Sequence, residues 1–159
     1  MINILGAGLA GLSAAVTLAK EGIKCNLISC ENSERSQSVL AEGGINACLN
    51  TMGENDGIEE HFNDTLKGGV FCADPNAVFN LVSNAPSVIE RLSSIGVPFN
   101  RENGHIVQRN FGGQKKKRTA FAQSSTGKIL MTCLIAECRK YEKEGTVNRY
   151  AHHQFIGLL

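Results

Sequence analysis

The chain has 159 residues, of which 42% are hydrophobic and 19% charged, the make-up of about one globular domain with enough apolar material for a core. Its formal net charge of +1 gives no general attraction to nucleic acid, and the one basic run, Lys115-Lys116-Lys117-Arg118, reads as a solvated loop. No apolar run reaches the ~20 residues of a membrane span, and no basic segment precedes the first strand-like run, so neither a span nor a signal peptide is expected.

In chain order, Ile2 to Leu5 reads as a short buried strand that stops at Gly6. Leu9 to Glu21 follows as a helix, because Leu9, Leu12, Ala15, Val16 and Ala19 recur at helical spacing, and Gly22 ends it. Lys24 to Ser29 is a second strand, so the chain opens with a βαβ unit whose strands should be parallel and whose crossover should be right-handed. From Cys30 to Gly57 the composition is polar and glycine-rich, which reads as a long functional loop.

Ile58 to Lys67 reads as a helix ending at Gly68-Gly69. Asp74-Pro75 supplies an N-cap and a first-turn proline for a helix running to about Ser83, and Pro86 is read as opening another that ends near Gly96. Val97 to Val107 suggests a hairpin turning at Asn103-Gly104. Thr126 to Glu144 is the longest predicted helix, closed by Gly145, with strand-like runs at Val147 to Tyr150 and Phe155 to Leu159. Cys25, Cys30, Cys48, Cys72, Cys133 and Cys138 show neither a CxxC pair nor metal-type spacing, so no metal site is expected; they read as reduced, buried filler in a cytoplasmic protein.

Gly6-Ala7-Gly8-Leu9-Ala10-Gly11 fits G-x-G-x-x-G in its proper setting, after a strand and opening a helix. Gly6 permits the tight turn, Gly8 the close approach of a diphosphate, and Gly11 close helix–strand packing. The helix N-terminus adds free N–H donors and a partial positive charge. A dinucleotide is the expected ligand. The segment Ser29-Cys30-Glu31 ends the second strand, where either the Ser29 hydroxyl or the Glu31 carboxylate could hold a ribose hydroxyl.

Further blocks carry a resemblance. Arg35-Ser36-Gln37-Ser38, Ala41-Glu42-Gly43-Gly44, Glu60-His61-Phe62-Asn63-Asp64-Thr65-Leu66-Lys67-Gly68 and Gly96-Val97-Pro98-Phe99 occur in order. Gln108-Arg109-Asn110-Phe111-Gly112-Gly113-Gln114, Arg118-Thr119 and Thr126-Gly127 follow. Together they resemble the flavoprotein subunit of the fumarate reductase and succinate dehydrogenase family, with L-aspartate oxidase a close relative sharing much of the pattern. The resemblance implies an α/β, Rossmann-like FAD-binding domain, expected here as its N-terminal part with an incomplete parallel sheet. The capping domain, whose arginines and histidines hold the substrate, and the C-terminal domain are expected to lie outside these residues, so no catalytic residue is assigned and little turnover is expected of the chain alone.

The resemblance also implies roles. FAD is the expected cofactor, contacted by Gly6 to Gly11 and by a second segment, Ser36, Gln37, Ser38, Ala41, Glu42, Gly43 and Gly44. The diglycine runs beside the isoalloxazine ring, and Gly44 and Phe111 are substrate-adjacent. Gln37 stands where membrane-bound members carry the histidine that bonds the flavin covalently; a glutamine amide cannot make that bond, so noncovalent FAD is expected. That absence, and more weakly Glu42 in place of a glutamine, leans the chemistry toward fumarate reduction or aspartate oxidation. Ser124-Ser125 and Lys128 depart from the family pattern. His105, His152 and His153 have no usable partner spacing and read as solvated or core.

The expected reaction of the parent enzyme is hydride transfer between flavin N5 and a C4 dicarboxylate, with an iron–sulfur or haem electron-transfer partner. The setting is expected to be cytoplasmic, with attachment to the inner face of the membrane through partner subunits left open. L-aspartate oxidase and a non-catalytic flavin-binding remnant are the alternatives.

Overall fold

A computed structural model describes residues 1–157. In chain order its elements are β1 (Ile2–Leu5), α1 (Leu9–Lys20), β2 (Cys25–Ile28), β3 (Ile45–Asn46), α2 (Ile58–Gly68), α3 (Pro75–Ser94), β4 (Arg101–Glu102), β5 (His105–Ile106), β6 (Gln108–Arg109), β7 (Thr119–Ala120), α4 (Thr126–Lys143) and β8 (Val147–Tyr150). Two compact units divide them: Met1–Ala41 together with the chain from Gly127 onward, and Glu42–Thr126.

In the first unit β1, β2 and β8 form a parallel sheet with β2 in the centre. Ile2 pairs with Cys25 and Leu5 with Ile28, while on the other side Cys25 pairs with Val147 and Ile28 with Tyr150. The apolar spacing of α1 does what was expected of it: Leu12, Ala15, Val16 and Ala19 are buried, and the helix packs on β1 and β2. Helix α4 adds Leu130, Met131, Leu134, Ile135 and Cys138 to the buried set. Strand β1, expected to be buried, is instead one of the sheet's two edges, and its Ile2 and Leu5 are exposed.

The predicted loop after β2 is more ordered than its composition suggested. It holds two short 3-10 turns, Ser33–Arg35 and Gln37–Leu40, and then strand β3. The last predicted strand does not form over residues 155–157, and its final two residues lie outside the described ones.

In the second unit β3, β7 and β6 form an antiparallel sheet with β7 central, and β4 and β5 form a separate hairpin. That hairpin turns at Asn103 and Gly104, both at positive φ (49° and 83°), the backbone of a type I′ turn. Helices α2 and α3 pack on each other. The Asp74 carboxylate accepts from the Asn76 N–H at 2.8 Å, and Pro75 occupies the first turn of α3, as expected.

Pro86 does not begin a new helix; it lies inside α3. The buried stripe Val78, Val82, Ala85, Ile89, Leu92 runs through it unbroken at three- and four-residue spacing. Packing along that stripe outweighs the one backbone donor that proline removes.

The basic run departs from expectation in part: Lys115 and Lys117 are exposed, as a solvated loop requires, but Arg118 is not. Arg118 is 1% exposed, Lys116 donates to the Glu54 carbonyl at 2.8 Å, and the Lys117 N–H donates to the Glu54 carboxylate at 2.7 Å. Among the cysteines, Cys25 and Cys138 are buried as expected, but Cys30 and Cys72 are exposed. Burial pushes the Cys138 thiol up to about 11, with a smaller contribution from Glu142. Among the described residues no helix is long and apolar enough to cross a membrane.

Candidate functional site

The glycine turn occupies the end of β1 and the start of α1. Gly6 has φ +103°, which side-chain-bearing residues rarely adopt, and its N–H donates to the Ile28 carbonyl at 2.8 Å. A Cβ on Gly11 would run into the Gly6 carbonyl, so this glycine is required for α1 to lie against the turn. Gly8 is the N-cap of α1 and supplies no side-chain cap, and the first turn carries no acidic residue. The positive end of the helix is left uncompensated. Ala7 is buried and Ala10 exposed.

The serines of the second predicted segment come to this turn. The Ser38 hydroxyl accepts from the Leu9 N–H at 3.2 Å. A Cβ on Gly8 would stand 3.0 Å from Ser38 Oγ and 3.8 Å from Ser36 Cβ. Gln37, between them, is exposed at the start of its 3-10 turn. At the end of β2 the Ser29 hydroxyl donates to the Glu31 carbonyl at 2.7 Å, and Cys30 and Glu31 are exposed. A cavity of about 110 Å³ beside them is lined by Ala7, Ser29, Asn32, Ser33, Glu142 and Arg149 among others.

Gly127, part of the Thr126-Gly127 block, has a structural role that the sequence does not announce. Its N–H donates to the Ala41 carbonyl at 2.6 Å, and a Cβ there would collide with the Ser38 carbonyl and stand 2.6 Å from that of Ala41. The start of α4 therefore abuts the serine-bearing turn only because residue 127 is glycine.

The diglycine lies in the second unit, with Phe111. A Cβ on Gly43 would stand 3.0 Å from the Phe111 ring; one on Gly44 would overlap the Ala120 carbonyl and come within 2.7 Å of the Thr119 methyl. Gly44 also has φ +116°. Glycine at 44 is thus demanded by strand β7, whereas a Cβ at 43 would require the half-exposed Phe111 ring to give way.

Arg109 reaches the same segment. Its Nη2 donates to the Gly43 carbonyl at 3.0 Å and lies 3.4 Å from that of Glu42, and its guanidinium carbon sits 4.2 Å from the centre of the Phe121 ring.

Behind the β3–β7–β6 sheet residues is a polar cluster that composition alone did not disclose. Arg118 makes paired bonds to Asp56 at 2.7 and 3.1 Å and a third to Asp64 at 3.0 Å. Burial alone would depress the guanidinium, but the two carboxylates outweigh it and hold its pKa above the ordinary value. His61, nearly buried, is pushed down by desolvation first and by the Arg118 charge second, and its Nδ1 has no partner among the described residues. The buried Gln108 amide donates to the Ala47 and Arg118 carbonyls, both at 2.7 Å.

Residues 2–159 match the family model described as an FAD binding domain. The chain belongs to that family. Its cofactor is FAD. The succinate dehydrogenase flavoprotein subunit of Bacillus subtilis is 43% identical over 99% of this chain and 27% of its own length. A solved quinol fumarate reductase from E. coli is 32% identical, with a TM-score of 0.85 over 95% of this chain and 25% of its own. Mycobacterium smegmatis Sdh1 has a TM-score of 0.91 at 26% identity, again over 95% of this chain and 27% of its own. The chain therefore spans about a quarter of the length of the curated relatives it matches.

The residues present fit FAD. A glycine turn opens onto a helix N-terminus with no acidic residue in its first turn, and a hydroxyl-bearing segment lies against it. In the diglycine segment a Cβ at Gly44 is excluded by the β7 backbone, and one at Gly43 would crowd the Phe111 ring.

Proposed function

We propose that this chain is the N-terminal part of the FAD-binding domain of a flavoprotein of the fumarate reductase and succinate dehydrogenase type, with fumarate reduction the favoured direction. The observation that carries the reading is the βαβ turn at Gly6 to Gly11 with Ser36 and Ser38 held over Gly8. In this reading the α1 N-terminus and the Gly6–Gly11 backbone hold the diphosphate, while Ser29 or Glu31 holds a ribose hydroxyl. Gln37 to Gly44 would line the flavin head, with Phe111 and Gly44 beside the dicarboxylate. When bound, FAD supplies hydride exchange at N5 with a C4 dicarboxylate. The chain's own residues orient: Phe111, pressed against Gly43, offers a flat apolar wall beside a flat acid. The clamp on the substrate, and the partner that exchanges electrons with the flavin, are assigned to residues and subunits beyond this sequence.

Gln37 makes the cofactor noncovalent in this proposal. The test is an absorption spectrum of the purified flavoprotein before and after acid precipitation. Yellow colour released into the supernatant is the expected result; colour retained in the pellet contradicts it. Assaying the same protein with reduced viologen and fumarate, against succinate and an acceptor dye, checks the direction, and faster succinate oxidation would reverse it.

A further inference from the structure

We propose that Arg109 is a positioning residue for the flavin, pinning the carbonyls of Glu42 and Gly43 so that the N–H groups of Gly43 and Gly44 are presented together to the cofactor ring. The inference rests on the functional reading above and deepens it. A diglycine has little conformational preference of its own, so something outside it must set the orientation of its peptide planes. Strand β3 begins only at Ile45, too late for the ladder to do so.

Arg109 supplies the hold. One nitrogen, Nη2, addresses both carbonyls, at 3.0 Å for Gly43 and 3.4 Å for Glu42. The Glu42 carbonyl also has the Thr126 hydroxyl at 3.4 Å. The guanidinium plane is in turn fixed over Phe121, 4.2 Å from the ring centre. In a trans peptide the C=O and the following N–H point in opposite directions. Fastening the Glu42 and Gly43 oxygens toward Arg109 therefore turns the Gly43 and Gly44 N–H groups away from it.

Charge adds to geometry. Hydrogen bonds in series polarise one another, so a peptide whose carbonyl is bound by a cation is a better donor through its N–H. Two such donors favour an electron-rich acceptor over an electron-poor one. Arg109 Nε is buried without a partner among the described residues, an unfavourable arrangement. Lysine could reach a carbonyl without such an orphan, but it lacks the planar fork that stacks on an aromatic ring.

The test uses the full-length, FAD-loaded flavoprotein that carries this sequence. FAD dissociation constants are measured in oxidised and reduced form for the wild type and for Arg109→Met, Arg109→Gln and Arg109→Lys, with melting curves alongside. In Arg109→Met, reduced FAD is expected to weaken about tenfold more than oxidised FAD, the scale of one lost hydrogen bond to a charged group. Arg109→Lys, which keeps the charge but not the stacked fork, is expected to recover part of that difference. If Arg109→Met does not fold, Arg109→Gln carries the test, with the same sign of shift expected. An unchanged oxidised-to-reduced ratio in the folded neutral variants overturns the inference alone, as does a lysine variant shifted as far as the neutral ones. A wild type that holds no FAD overturns the functional reading and this inference together.

Discussion

The two units of the chain are stabilised in different ways. The first is an apolar helix laid on a three-stranded parallel ladder, with Leu12, Leu27, Cys25 and Val147 fully buried. The second sets the buried stripe of α3 beside strands of two residues each and a set of buried polar groups that the first unit lacks: Arg118 between Asp56 and Asp64, and Gln108 bridging two carbonyls. Apolar burial tolerates erosion by degrees, whereas a buried ion cluster fails when one partner is removed.

The largest effect is expected from removing one such partner. Arg118→Met should cost about 3–5 kcal/mol in chemical denaturation, because two carboxylates are left without their cation. Adding Asp56→Asn and Asp64→Asn to it should restore much of the loss. Leu12→Ala in the first unit should cost about 2–5 kcal/mol by its cavity, and the same asparagine substitutions should not rescue it. Rescue of both, or of neither, would erase the distinction.

A smaller effect sharpens it within the second unit. Gly44→Ala places a Cβ on the Ala120 carbonyl at φ +116° and should lower stability by about 1–3 kcal/mol. Gly53→Ala, where a Cβ meets nothing, should cost less, since its backbone strain at φ +67° is the only penalty. Equal losses at the two positions would mean that β7 does not press on the diglycine.

The smallest expected effect is a pH dependence. Desolvation lowers the folded-state pKa of His61. Well above ~6.5 the ring is neutral in both states and contributes no slope. As the pH falls through that value the unfolded chain takes up the proton first, so stability should drop until the folded pKa is also passed. His61→Leu should flatten this part of the stability curve; an unchanged slope would assign it to other groups.

These differences also explain what was legible in the sequence. Helix α1 and the strands beside it announce themselves through Leu12, Ala15, Val16 and Ala19 and through the Gly6–Gly11 spacing, which are local signals. The α3 stripe has the same three- and four-residue spacing, yet Pro86 read alone suggested a break that tertiary packing overrides. Strands β3, β6 and β7 are too short to show a period, and they exist because Ile45, Ala120 and Gln108 meet across long sequence separations. Arg118 sits in a basic run, and nothing local to it reveals Asp56 and Asp64, more than fifty residues away. The glycine fingerprint was readable one residue at a time; the placement of Ser38 over Gly8, and of Phe111 against Gly43, was not.

The most direct test of the account is a titration with FAD of the full-length apoprotein that carries this sequence, followed by quenching of flavin fluorescence, for the wild type and for Gly8→Leu. A side chain at residue 8 would crowd the Ser38 hydroxyl at the α1 N-terminus, its Cβ standing 3.0 Å from that oxygen. Saturable binding by the wild type, abolished in a Gly8→Leu variant that still melts cooperatively, is the predicted result. Equal binding by the two proteins, or none by the wild type, would contradict the assignment of this turn to the cofactor.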